Sequence, residues 1–281
     1  MKVLEVENIF YEVENKSILN DISFFVEEGD ACAIIGSNGS GKTSLLEILL
    51  NDIAPNKGTV KLFNDIQLNY DKVGILYDVM PVFPLLKVHE VVDYFALLNK
   101  IHLDKFEIEA LLYNFKLEHV FNSFVTQLSL GEKQKIGLIL SILRTPELLI
   151  LDEPFSALDP IVIDYIWHIL REKSKTILFT SHNWKEVERL ANRIIMLRHG
   201  RLVVPPAEPD KLLSMLPSSK KIVFDLNTCV SIQLSNYDYY IDDNNVNVFI
   251  KNDTSLEEIK RLTYNYTVQN VDLKDCYLFL K

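Results

Sequence analysis

The sequence of 281 residues contains few cysteines and lacks both a long hydrophobic run and an excess of positive charge. Its three cysteines, Cys32, Cys229 and Cys276, are odd in number, far apart and without a CxxC pair. This pattern argues against a disulfide framework or a zinc site and favours a reducing cytosol. No stretch approaches the roughly eighteen apolar residues of a membrane span, and the N-terminus lacks the apolar core of a secretory signal. We therefore expect a cytoplasmic protein that reaches a membrane only through a partner.

The charge balance excludes a second group of functions. The chain has 39 acidic and 29 basic residues, a formal net charge of −10 and a pI near 5.1. Such a protein has no general attraction for nucleic acid or for anionic lipid, so any phosphate that it binds requires a local site. Hydrophobic residues make up 48 % of the chain, which is typical of a folded protein and not of a disordered one.

The hydrophobic pattern predicts an α/β fold with a mostly parallel sheet. Residues 3–10 and 18–26 alternate between apolar and polar side chains and predict an N-terminal antiparallel β subdomain. Unbroken apolar runs at 31–35, 148–151 and 176–179 predict strands that are buried on both faces. Helical periodicity between about 85 and 145 predicts a helical insertion, and the alternation of strands with helices completes the α/β pattern.

A proline-rich segment at 204–209 divides the chain into two predicted domains. Residues 1–204 form the main domain and residues 205–281 a small α+β appendage. Short alternating segments at 222–226, 230–234 and 246–250 predict strands in the appendage. A capping-box pattern, Ser255 with Glu258, predicts the start of a helix there.

A glycine-rich segment fits the pattern G-x-x-x-x-G-K-[ST] between a predicted buried strand and a predicted helix. Glycines let successive backbone N–H groups point at phosphate oxygens, and the helix adds its positive end. Lys42 is expected to reach the β- and γ-phosphates and Thr43 to ligate Mg²⁺. The predicted cofactors are therefore ATP and Mg²⁺. The predicted nucleotide-binding residues are Gly36, Ser37, Asn38, Gly39, Ser40, Gly41, Lys42, Thr43 and Ser44.

Two carboxylates follow the apolar run at 148–151, where the ligand crevice of a parallel sheet forms. Asp152 is placed to hold the metal ion through water. Glu153, one position on, is placed to orient or deprotonate the attacking water. An acidic pair can also be a solvated strand end, but the phosphate loop upstream favours the catalytic interpretation.

Between the glycine-rich phosphate loop and the carboxylate pair at 152–153, the sequence reads Leu128-Ser129-Leu130-Gly131-Glu132. Here the chain resembles the ATP-binding-cassette (ABC) ATPases, P-loop enzymes whose hallmark in this position is LSGGQ. Ser129 with Glu132 is also a capping box, and both interpretations can hold together. In the family this element closes over ATP bound to the opposite subunit, which implies roles for Ser129 and Gly131. The chain departs from the hallmark at Leu130 and Glu132.

The remaining family motifs occur in the expected order, and the resemblance covers about residues 1–204. The segment 156–159 resembles the family's D-loop, and His182 resembles its switch histidine, a γ-phosphate sensor. Asp78 replaces the usual glutamine and could coordinate Mg²⁺ through water. The adenine-stacking aromatic of the family falls at Val13, and Tyr11 lies on the same strand face as a possible substitute. If neither stacks, weak base selectivity follows.

The resemblance implies a nucleotide-binding subunit of an ABC transporter. Two copies would hold two ATP molecules head to tail and drive a separate integral membrane permease from the inner face of the cell membrane. The short tail is similar to those of ATPases that work with exporter permeases. The alternatives are a soluble ABC ATPase without a transport role and a cassette that binds ATP without turnover. A small GTPase fits least, because the chain has no NKxD element.

Overall fold

The computed structural model describes residues 1–66, 69, 71–78, 83–226, 234–251, 256–257 and 265–280. The chain forms two compact units. The first contains Met1–Asn192 with Leu197–Leu202, and the second contains Arg193–Met196 with Val203–Lys281. The domain boundary at 204/205 and the limits of 85 and 145 for the helical insertion remain predictions.

The regular elements up to residue 202 are a mixture of strands and helices. Three-residue 3₁₀ turns at 118–120 and 125–127 lie between the third and fourth helices. In chain order the elements are β1 (Lys2–Val13), β2 (Lys16–Glu27), β3 (Ala31–Ile35), α1 (Lys42–Leu49), β4 (Lys57–Leu62), β5 (Val73–Leu76), α2 (Val88–Leu98), α3 (Lys105–Asn114), α4 (Leu130–Ile142), β6 (Leu148–Leu151), α5 (Pro160–Lys173), β7 (Thr176–Ser181), α6 (Trp184–Leu190), β8 (Arg193–Arg198) and β9 (Arg201–Leu202).

The predicted N-terminal antiparallel β subdomain is confirmed. It is a three-stranded sheet of order β2-β1-β4, in which β1 pairs antiparallel with both neighbours. Side chains on one face, such as Leu4, Ile9 and Ile22, are fully buried. An antiparallel sheet with one face exposed to solvent shows this alternation of apolar and polar residues. The turn between β1 and β2 brings residues 16–18 to the wall of the phosphate-loop cleft.

The predicted parallel sheet is confirmed as well, with strands in the order β5-β6-β7-β3. Every residue of β3, β6 and β7 is buried, which explains the unbroken apolar runs of these strands. Because the strands are parallel, their carboxyl ends meet at one edge. The phosphate loop follows β3 there, Asp152 and Glu153 follow β6, and His182 follows β7. The sheet thus gathers groups far apart in sequence.

The predicted helical insertion consists of α2, α3 and α4. Helix α3 begins at an Asp104 capping box with Glu107, and α2 buries Val88, Val91 and Val92. Helix α4 also packs on β5, where a Cβ on Gly74 would lie 2.1 Å from the carbonyl oxygen of Ser141. The insertion therefore rests on the same sheet that carries the carboxylates.

The second unit is α+β, as predicted. Its antiparallel sheet of four strands packs around a core that includes Ile222, Phe224, Val246 and Val248. The predicted strand at 230–233 and the helix start at Ser255 lie outside the described residues, and Leu234 belongs to a 3₁₀ turn. The elements are α7 (Pro209–Leu213), β10 (Lys220–Asp225), β11 (Tyr239–Asp242), β12 (Asn245–Phe249), β13 (Tyr266–Asn270) and α8 (Leu273–Phe279).

A buried ion pair joins α8 to the sheet of this second unit. The Lys221 ammonium and the Tyr240 hydroxyl both donate to a carboxylate oxygen of Asp275. Burial is the largest of the effects that raise the pKa of Tyr240, so its hydroxyl stays protonated and remains a donor. A charged pair of this kind is sustained inside a protein only when hydrogen bonds satisfy it.

Within the described part of the chain, no helix is both long and apolar enough to cross a lipid bilayer.

Candidate nucleotide-binding site

The phosphate loop joins the buried end of β3 to the start of α1. Gly41, the residue before the helix, has a φ of 106° and caps it without any side-chain hydrogen bond. A side chain there would be strained at this φ, and its Cβ would lie 2.7 Å from a methyl carbon of Leu19. The first N–H groups of a helix have no partner within it. In α1 they are therefore available to an anion, and the helix dipole favours negative charge at this end.

Lys42 is the cation of the loop, and only 8 % of its surface is exposed. Its ammonium donates to the carbonyl oxygens of Gly36 at 2.9 Å and Ser37 at 3.3 Å. These bonds fold the side chain back across the loop and help to keep the loop curled. The hydroxyl of Ser40, also buried, has no hydrogen-bond partner among the described residues. A buried cation and an unsatisfied hydroxyl beside open amides are features that suit a triphosphate.

Asp152 and Glu153 are joined through a threonine of the neighbouring strand. The Thr180 hydroxyl donates to Asp152 Oδ1 at 2.5 Å and accepts from the backbone N–H of Glu153 at 2.8 Å. Burial raises the pKa of Asp152 above its ordinary value, the Thr180 bond opposes that shift, and Asp78 and Glu153 add to it. The carboxylate therefore carries an electrostatic cost that a bound cation would relieve.

Glu153 is held from several directions. Its φ of 44° lies in the left-handed region, which a non-glycine residue adopts at an energetic cost. The Gln134 amide donates to its carbonyl oxygen at 3.1 Å, and its Oε2 lies 2.9 Å from His182 Nδ1. The carboxylate is thus aimed by its backbone anchors and lies in contact with the predicted sensor. His182 itself is largely exposed and free to contact a ligand.

Lys42, Asp152 and Glu153 line one cleft of about 710 Å³, whereas His182 is not among its lining residues. This volume is within the usual range for ligand pockets. The described part of the chain contains no cluster of three or more His, Cys, Asp or Glu side chains that could hold a metal ion. Mg²⁺ typically takes one or two carboxylates and completes its shell with water and phosphate, so Asp152 and Asp78 with the Thr43 hydroxyl fit that ion. The predicted residues that line the cleft are Asn38, Gly39, Gly41, Lys42, Thr43, Ser44, Asp78, Asp152 and Glu153.

Ser129 and Gly131, also predicted, lie at the start of α4 and do not line this cleft. Ser129 caps α4: its hydroxyl donates to Glu132 Oε2 at 2.7 Å, and its backbone N–H donates to the same oxygen at 2.8 Å. These bonds and His119, whose Nε2 lies 2.9 Å from Glu132 Oε1, lower the pKa of Glu132. A Cβ on Gly131 would lie 2.7 Å from the carbonyl oxygen of Ala157, so the close approach requires glycine.

The two predicted base contacts lie on β1, outside the cleft. Val13 is exposed and Tyr11 is half-buried, and neither is among the residues that line the cavity. His199 lines it instead, and the hydrophobic pattern contains no signal for that position. Gln134 likewise has no sequence signal of its own, because its role depends on the packing of α4 against Glu153.

Comparison with known proteins identifies relatives that cover about 70 % of the chain. An ABC transporter family model matches residues 19–156. An uncharacterised ABC transporter ATP-binding protein from Methanocaldococcus jannaschii is 32 % identical over 71 % of this chain and 76 % of its own length. The bacitracin transport ATP-binding protein of Enterococcus faecalis is 33 % identical over 72 % of this chain and 68 % of its own length. A solved ATP-binding subunit of an ABC transporter superposes with a TM-score of 0.67 at 26 % identity, covering 76 % of this chain and 92 % of that one.

Proposed function

The chain belongs to the family of ABC transporter ATP-binding proteins, and on that premise we propose that two copies close head to tail on two ATP molecules and drive a separate membrane permease that exports its substrate. The chain is a nucleotide-binding ATPase subunit of a transporter. The head-to-tail dimer, the direction of transport and the role of each site residue are the proposal. The observation that carries it is the single cleft in which Lys42, Asp152 and Glu153 meet.

The chain's own groups supply most of what phosphoryl transfer to water requires, because this reaction depends on positioning and charge stabilisation. The Lys42 ammonium and the N–H groups at the start of α1 bind the phosphate oxygens. Glu153 orients the attacking water and accepts its proton, and His182 holds the Glu153 carboxylate in place until the γ-phosphate is present. Bound Mg²⁺, held by Thr43, Asp152 and Asp78, would supply positive charge to the phosphate oxygens.

The position of Ser129 and Gly131 supports a site that is completed by a second copy. Both residues begin a helix whose N-terminal amides are suited to an anion, yet neither borders the cleft of its own chain. The Glu132 carboxylate next to them is partly compensated by His119. A second chain that presents this helix start to the γ-phosphate would complete the shell of donors around the transferred group.

The helical insertion is the proposed docking surface for the permease. It carries a hollow of about 810 Å³ lined by α2 and α3, with Glu90 and Asp93 on one wall. Leu85, Tyr94 and Leu97 expose large apolar surfaces in the same region, and exposed apolar patches of this kind mark interaction sites.

The cellular location and the direction of transport follow from the partner. A permease partner would place the protein at the inner face of the cell membrane, on the cytoplasmic side. The resemblance of the tail sequence to those of ATPases that work with separately encoded exporter permeases is the reason for proposing export. The relative named for bacitracin transport supports a role in transport. The net charge of −10 gives no support to a nucleic-acid partner.

The substitution Glu153→Gln tests the proposal in the full chain. Removing the proton acceptor should slow ATP hydrolysis by about a hundredfold or more while ATP binding survives, so that a dimer accumulates with Mg-ATP in light-scattering chromatography. Glu172→Gln makes the same chemical change on the exposed surface of α5 and should hydrolyse ATP like the wild type. Unchanged turnover in the Glu153→Gln variant would contradict the role of Glu153. A wild type that binds and pairs without turnover would instead identify a binding-only cassette.

A further inference from the structure

The turn between β8 and β9 is attached to the phosphate loop by backbone hydrogen bonds. The N–H of Gly200 donates to the carbonyl oxygen of Ser40 at 3.0 Å. The carbonyl oxygen of Gly200 accepts from the N–H of Asn20 at 2.8 Å. The turn is thus held between the phosphate loop and β2, so the side chain that it presents has a fixed position relative to the phosphate loop.

His199 is the side chain that this turn presents. It is exposed, it lines the cleft, and its φ of 49° places it in the left-handed region. Among the described residues that line the cleft, it is the one with an aromatic ring. Ile18 also lines the cleft, and a Cβ on Gly200 would lie 2.1 Å from the Ile18 carbonyl oxygen, so Ile18 adjoins the turn. The base contacts expected from the sequence, Tyr11 and Val13, do not border the cavity.

We infer that His199 is the affinity-determining contact for the nucleotide base, which stacks on its imidazole ring while Ile18 provides the adjoining apolar wall. The inference rests on the proposed binding of ATP at this loop. Stacking on a ring is tolerant of the base, because every base has a π-face. The site therefore discriminates weakly between adenine and guanine, and His199 contributes to the affinity of both.

The experiment compares a nucleotide with a ligand that has no base. Isothermal titration of the full chain is carried out with Mg-ATP, Mg-GTP and inorganic tripolyphosphate. His199→Asn removes the ring but keeps a residue that tolerates a positive φ, and His199→Tyr keeps a ring. We expect His199→Asn to weaken ATP and GTP binding about tenfold, within the usual range for loss of one base–aromatic stack. Tripolyphosphate binding should be unchanged, and His199→Tyr should bind ATP more tightly than His199→Asn.

Three results would overturn the inference. His199→Asn could bind ATP like the wild type, or it could weaken ATP and tripolyphosphate equally, as a purely structural role would. Loss of ATP affinity in Tyr11→Leu with none in His199→Asn would assign the base to β1. A wild type that binds neither nucleotide nor tripolyphosphate would instead refute the proposed function itself, so the two failures are distinguishable.

Discussion

Replacing Thr180 by valine tests the connection between the two carboxylates of the site. Thr180 is fully buried, and its hydroxyl is the donor to Asp152 and the acceptor for the N–H of Glu153. Valine preserves the approximate shape but makes neither bond. The variant should therefore be less stable. The backbone N–H of Glu153 should also lose its hydrogen-bond acceptor, so that the Glu153 carboxylate is no longer held in its orientation.

The magnitude follows from the two bonds. A buried N–H without a partner costs about 1–3 kcal/mol, and a hydrogen bond to a charged group contributes about 1.5–3 kcal/mol. The sum is about 2.5–6 kcal/mol. Since 1 kcal/mol shifts the melting temperature of a domain of this size by about 2–4 °C, the expected decrease in melting temperature is on the order of 10 °C. Thr180→Ser keeps the hydroxyl and loses one methyl group, which costs about 0.8 kcal/mol.

The effect of Thr180→Val should depend on pH with a defined sign. Burial already raises the pKa of Asp152, and loss of the hydroxyl donor raises it further. A raised carboxyl pKa means that the folded state binds the proton more tightly than the unfolded state, so stability falls as the pH rises through that pKa. The gap in melting temperature between wild type and variant should thus narrow under acidic conditions. Thermal unfolding of the nucleotide-free protein measures this gap in melting temperature. Equal melting temperatures for Thr180→Val and Thr180→Ser would refute the reasoning.

Two further substitutions separate binding from stability. Lys42→Ala should weaken Mg-ATP binding itself, because it removes the buried cation of the phosphate loop; an unaltered dissociation constant in calorimetry would contradict the assignment. Asp152→Asn should raise the melting temperature of the nucleotide-free protein at neutral pH, because burial penalises the charged carboxylate, and should abolish the additional stabilisation by Mg²⁺ over ATP alone. A lower melting temperature without nucleotide would show that the carboxylate charge is not under electrostatic strain.

The sequence predicted those features that depend on local patterns. The apolar runs at 31–35 and 148–151 are strands because a sheet covered on both faces needs continuous apolar residues, and the loop that follows β3 carries its own glycine signature. The role of Thr180 is different. It depends on the parallel pairing of β6 with β7, which brings residues from distant segments together, and no local pattern encodes that register.

The base contact shows the same limit. The family resemblance implies a base contact at Val13, and Tyr11 shares its strand face, yet neither residue borders the cleft. His199 reaches the cleft because Gly200 is bonded to the phosphate loop across about 160 residues of sequence, a contact between distant segments. Titrations of the Tyr11 and His199 variants therefore distinguish a base contact on β1, where Val13 and Tyr11 lie, from the inferred contact at His199.

The most direct test of the central claim is a calorimetric titration of the wild-type chain with Mg-ATP. The arrangement of Lys42, the α1 amides, Asp152 and Thr43 predicts a saturable heat that requires Mg²⁺ for its full size and is accompanied by pairing of the protein. The absence of both heat and pairing in folded protein would contradict the account.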